Sequence, residues 1–125
     1  MTIAYWCVLI AALLPFAATV VAKVGGERYS NRYPRAWLES QQGFRARANA
    51  AQSNSFEAFP FFAAAVIIAH LMQAPQARID LLALIFVAAR IAYLVCYVAD
   101  WHWVRSAVWF VGFVSCIAIF LSGVH

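Results

Sequence analysis

Residues 44–73 read FRARANAAQSNSFEAFPFFAAAVIIAHLMQ, and the fold follows from how this stretch divides. From Phe56 to Met72 it is apolar apart from Glu57 and His70. Residues 45–55 are polar yet rich in alanine, a composition that still favours helix. Thirty residues at about 1.5 Å each make a helix ~45 Å long, against a hydrocarbon core of ~30 Å. The second half is therefore expected to cross a bilayer, with the first half in the interface or beyond it. Pro60 is a candidate kink.

Three more apolar runs flank this one. Residues 3–22 carry no charge and tolerate Pro15 as membrane helices do. A signal peptide fits them poorly, because no positive segment precedes the run and it outlasts a typical signal core. Residues 77–99 open with Arg78 and Asp80 and are then interrupted by Arg90, and residues 103–122 carry Arg105 near their start. Ala74-Pro75-Gln76 and Asp100-Trp101-His102 read as short turns. With 66% hydrophobic and 11% charged residues, disorder and an ordinary soluble domain are both excluded. Three cysteines without a CxxC spacing make no disulfide framework. The expected fold is an all-α integral membrane bundle of four transmembrane helices, a single domain over residues 1–125.

The loop at residues 23–43 is the one long connection. Gly25, Gly26 and Pro34 break helix, and a turn or two is expected around Ala36–Gln41. Lys23, Arg28, Arg32 and Arg35, with Arg45 and Arg47 just beyond, crowd one side, where Arg105 joins them. The opposite side holds Arg78 beside Asp80. This bias places the loop in the cytoplasm and both termini outside. Trp37, Trp101 and Trp103 suit the cytoplasmic interface, and Tyr5 and Trp6 the outer one. The net charge of +4 has this origin, and no nucleic-acid motif accompanies it.

Ionisable groups inside spans usually face the bundle interior and find partners. Arg47, Asn54 and Glu57 share one stripe of the second span, and Arg90, Tyr93 and Tyr97 one stripe of the third. With Arg105, they converge on the cytoplasmic half, and the outer half reads as almost purely apolar. One reading is a polar network that fixes helix register, with Glu57 paired to Arg90. The other is a cationic cleft for an anionic cosubstrate from the cytoplasm, with an apolar cosubstrate arriving through lipid. Cys7, Cys96 and Cys116 read as packing residues, and His70 and His102 lack metal-ligand spacing.

The run Arg47-Ala48, Asn54, Glu57, Pro60-Phe61 resembles the second-helix signature of the MAPEG family, membrane-associated proteins of eicosanoid and glutathione metabolism. Arg90-x-x-Tyr93-x3-Tyr97 and Arg105-Ser106 agree with its later helices. Asn31 to Trp37 looks like its bacterial branch. The resemblance covers essentially the whole chain. It implies a homotrimer in a bacterial inner membrane, with glutathione sites between subunits at the cytoplasmic side and lipophilic small molecules as substrates. It further implies that Asn54 and Glu57 contact glutathione, that Arg47, Arg90, Tyr93 and Tyr97 line the pocket, and that Arg105 stabilises the thiolate. Two positions depart from the pattern. Glutathione-using members often carry arginine four residues before the asparagine, here Ala50, and some carry tyrosine after the glutamate, here Ala58.

The function expected from residues and resemblance together is a glutathione-dependent transferase or peroxidase. The rival is a non-catalytic protein of the same fold that binds a lipid or a partner helix, with Glu57 and Arg90 as a structural pair. A carrier built on these two residues lacks the inverted repeats such folds use.

Overall fold

A computed structural model describes residues 1–24 and 29–124. The helix breakers Gly25 and Gly26, and Glu27, Arg28 and His125, lie outside the described residues. The chain forms α1 (Ile3–Lys23), α2 (Pro34–Glu39), α3 (Phe44–Leu71), α4 (Gln76–Val98) and α5 (His102–Leu121). All but the short α2 are long and apolar enough to cross a membrane. The described residues include no strand.

Local chemistry sets the boundaries. The Thr2 hydroxyl accepts from the Tyr5 N–H and caps α1. Pro34 opens α2, where its missing N–H costs nothing. Gly43, at φ 64°, turns the chain into α3. α3 and α4 end in the same motif. Gln73 and Asp100 take the left-handed conformation. The Ala74 N–H then reaches Ala69 O at 3.0 Å, and the Trp101 N–H reaches Cys96 O at 2.8 Å. Both are Schellman closures made without glycine, and they fold α4 and α5 back along their predecessors.

α1 packs on α3 and α4 on α5, and the two pairs join through α1–α4, α3–α4 and α3–α5 contacts. The loop and the starts of α3 and α5 share one end of the bundle, the loop end. The N-terminus, the α3–α4 turn and the end of α5 share the other, the termini end. The buried face of α1 is Ala4, Cys7, Ala11, Pro15, Ala18 and Ala22. This small-residue stripe lets helix backbones approach closely where no water drives association. Phe62 and Phe86 stack at 3.9 Å in the middle of the core. The outward surface carries large apolar side chains such as Leu13, Phe16, Phe110 and Phe120, as a lipid-facing surface requires. α2 is held to the loop end by Leu38, which packs with Ala22 and Ala48.

Candidate functional site

The site grows from one buried cation. Arg90 is 3% exposed in the loop-end half of α4. A guanidinium there needs partners, because desolvation of an unpaired charge is expensive. Its Nη2 donates to Asn54 Oδ1 at 2.8 Å and to Ser55 Oγ at 3.4 Å. Its plane lies 4.2 Å from the Tyr93 ring centre. One turn on, Tyr97 meets Tyr93 edge to face at 5.6 Å. Arg105, on α5, lies 4.2 Å from the Tyr97 ring. Asn54, Arg90, Tyr93, Tyr97 and Arg105 thus form one continuous run across three helices, held by hydrogen bonds and by cation–π and ring contacts.

Two expected members stand apart. Arg47 donates through Nε and Nη2 to Val98 O at 3.1 and 3.0 Å. It closes the C-terminal turn of α4, where a cation also meets the negative end of the helix dipole. Glu57 is exposed on the outside of the subunit. The Glu57–Arg90 pair expected from the sequence does not form, because Arg90 takes Asn54 and Ser55 instead. Ser55, next to the expected Asn54, was missed because a serine in an alanine-rich helix carries no distinctive signal. Tyr93 is buried, so it is no interfacial belt residue.

Two cavities adjoin the run. One of about 180 Å³ is lined by Tyr93, Arg105, Ser106, Trp109 and Phe110. The other, about 50 Å³, is an apolar slot bounded by Phe61, Phe86, Arg90, Trp109, Gly112 and Phe113. Trp109 stands between them and stacks on Phe113 at 5.1 Å with the rings 10° apart. Gly112 leaves the floor open, since a Cβ there would meet Arg90, Phe86 and Ala89 only at 3.7–3.8 Å. Among the described residues, no hydrogen bond engages the hydroxyls of Tyr93 and Tyr97 or the Arg105 guanidinium. The polar cavity therefore has donors to offer. Its chemistry suits a negatively charged, hydrogen-bonding group, and the apolar slot adjoins it.

Residues 3–125 match the family whose description is MAPEG family. The chain belongs to the MAPEG family. Neither a search of curated proteins nor one of solved structures gives a match. Family membership and four apolar helices together make it a multi-pass membrane protein.

The termini end corrects a further expectation. That half is not purely apolar. His70 stacks on Tyr5 at 4.0 Å. Its Nδ1 lies 2.7 Å from Val66 O, and its Nε2 lies 3.0 Å from Thr2 Oγ1 and 3.3 Å from Gln76 Nε2. Asp80 Oδ1 accepts from the Ala4 N–H at 3.0 Å and from Gln76 Nε2 at 2.8 Å. A neutral His70 with its proton on Nδ1 satisfies every one of these contacts. The cluster ties α1, α3 and α4 together. No group of three or more potential metal ligands occurs among the described residues.

Proposed function

We propose that this MAPEG protein is a membrane-bound transferase or peroxidase that uses glutathione on lipophilic substrates. The observation that carries the reading is the run from Asn54 to Arg105, which ends in a cation without a hydrogen-bond partner beside a polar cavity. The donor set fits glutathione. Arg105, the Tyr93 phenol and Ser106 line the cavity and suit a carboxylate or the thiol, and the exposed Glu57 suits its ammonium group. When bound, glutathione supplies the sulfur nucleophile. Arg105 holds negative charge at the cavity, which favours a thiolate over a thiol. Because Arg90 occupies Asn54 Oδ1, the amide presents its N–H groups to an incoming carbonyl or carboxylate. Tyr97 fixes the Arg105 guanidinium through its ring face. Trp109 separates the polar cavity from the apolar slot, the natural place for the reacting end of a lipophilic substrate.

The polar cavity is smaller than the ~300–1,000 Å³ typical of a small-molecule site. That shortfall supports a site completed by a neighbouring subunit, and the homotrimer is what the family resemblance implies. The basic loop end supports a cytoplasmic loop and a bacterial inner membrane. The decisive experiment is calorimetric titration of the detergent-purified protein with glutathione. Saturable heat at millimolar concentration is expected, and none sinks the reading. One observation favours a non-catalytic lipid- or partner-binding role instead: Arg47, expected in the pocket, is engaged with Val98, and Ala50 supplies no replacement. Restoring arginine at position 50 separates the two, since only a glutathione pocket gains affinity.

A further inference from the structure

Arg47, expected in the pocket, holds instead the turn that links two members of the site. The last four carbonyls of a helix need partners from beyond its regular ladder. In α4, Val95 O accepts from the Ala99 N–H at 2.9 Å, Cys96 O from Trp101 at 2.8 Å and Tyr97 O from Asp100 at 3.2 Å. No backbone donor among the described residues takes the fourth, Val98 O. It accepts from Arg47 alone, at 3.1 Å from Nε and 3.0 Å from Nη2. The Val98 side chain packs on the cluster of Ala22, Leu38 and Ala48, the last of them next to Arg47. α3 thus grips the end of α4 by backbone and side chain together.

The grip matters because of what the turn carries. Tyr97 precedes Val98, and residues 99–101 lead directly into α5, where the Arg105 N–H bonds Trp101 O at 2.8 Å. Asp100 sits in that turn at φ 65°, a conformation that costs a residue with a side chain. Arg105 depends on the turn, because no residue of α5 before Gly112 is buried. Side-chain packing within the subunit therefore leaves the start of α5 unfixed. The Arg105 guanidinium rests 4.2 Å from the Tyr97 ring, so the spacing of the two residues across the turn sets where the free cation points. We propose that Arg47 is a positioning residue: through Val98 O it fixes the α4–α5 turn, and so holds Arg105 against Tyr97 beside the polar cavity. The consequence for chemistry rests on reading that cavity as a glutathione site, and the geometry does not. Arg45, two residues back, makes the same kind of bond, from Nη2 to Val24 O at 2.9 Å. There it holds the end of α1, which carries no member of the run.

Side-chain NMR of isotope-labelled arginine, on the full-length protein in detergent, reads the geometry without glutathione. The Arg105 Nε–H resonance, assigned by its loss in Arg105→Gln, is expected upfield because of the Tyr97 ring. Arg47→Gln should lose most of that shift. Arg47→Lys, which keeps the charge and one donor, should lose less, and it carries the same comparison if the glutamine variant fails to fold. Arg45→Gln removes the same charge from the same stretch and should leave the resonance in place. Turnover reads the consequence. Arg47→Gln should lower kcat with glutathione and a lipophilic electrophile about tenfold, with KM for glutathione within about twofold. The ultraviolet absorbance of the bound thiolate should move to higher pH, because a displaced cation favours the thiolate less. Arg45→Gln should change neither. An unmoved Arg105 resonance in folded Arg47 variants overturns the proposal, and so does an equal movement in Arg45→Gln. A parent that binds no glutathione sinks the functional reading alone, since the resonance still decides the positioning.

Discussion

The two ends of the bundle each gather polar groups from three helices, and they use them in opposite ways. At the termini end, Thr2, His70, Gln76 and Asp80 satisfy one another and the start of α1. At the loop end, Arg90 is satisfied by Asn54 and Ser55, but Arg105 and the tyrosine hydroxyls are left with capacity. The cavities described above also lie there. In a membrane, where an unmet polar group costs several kcal/mol, a closed network is a fastening and an open one is a site. Mutations that break this contrast are the informative ones.

The largest effect is expected at the junction between structure and site. Asn54→Ala leaves the Arg90 guanidinium buried without its best acceptor, at a cost of about 3 kcal/mol. Asn54→Asp keeps the acceptor and should stay within about 1 kcal/mol of the parent. Unfolding in one detergent compares the three, and a small loss in the alanine variant would mean that Arg90 is hydrated. Next comes Arg105→Gln. It removes the free cation and touches little of the packing, so turnover with glutathione and a lipophilic electrophile should fall about 100-fold. Thermal stability should hardly change. Unchanged turnover would remove Arg105 from the chemistry.

Much of this was legible in the sequence because membranes impose few choices. The expected spans at 3–22, 44–73, 77–99 and 103–122 fall within two residues of helices α1, α3, α4 and α5. Apolar run length and paired turn residues decide such boundaries locally. The stripe Arg90–Tyr93–Tyr97 was legible for the same reason, since helical spacing alone puts those residues on one face. Partner choice was not. Glu57 and Asn54 are three apart on α3, and helix rotation decides which of them meets Arg90. That rotation is set by the alanine stripe of α1 and by the Phe62–Phe86 stack, neither of which advertises a direction. The termini-end cluster was hidden because its members come from three separated stretches, and His70 alone in an apolar run carries no address.

A smaller, sharpening effect is expected at position 50. Arginine there restores the cation that glutathione-using members often carry four residues before the asparagine, and one charge-assisted contact is worth about tenfold in glutathione affinity. Titration of Ala50→Arg against the parent reads it directly, and equal affinities would place position 50 outside the pocket.

The smallest effect concerns the fastening itself. His70→Ala removes the acceptor shared by Thr2 and Gln76, the bond to Val66 O and the Tyr5 stack. Water from the interface can replace part of this, because His70 is only half-buried and Gln76 is exposed, so a loss of about 1 kcal/mol is expected. Asp80→Asn keeps one acceptor oxygen for the Ala4 N–H but weakens its hold on the start of α1, with a similar or smaller loss. Both variants should bind glutathione as the parent does, within about twofold, since no described contact links the cluster to Arg105. A tenfold change in affinity would show the two ends to be coupled through α4, which carries both Asp80 and Arg90. The closed cluster would then be part of the site's machinery.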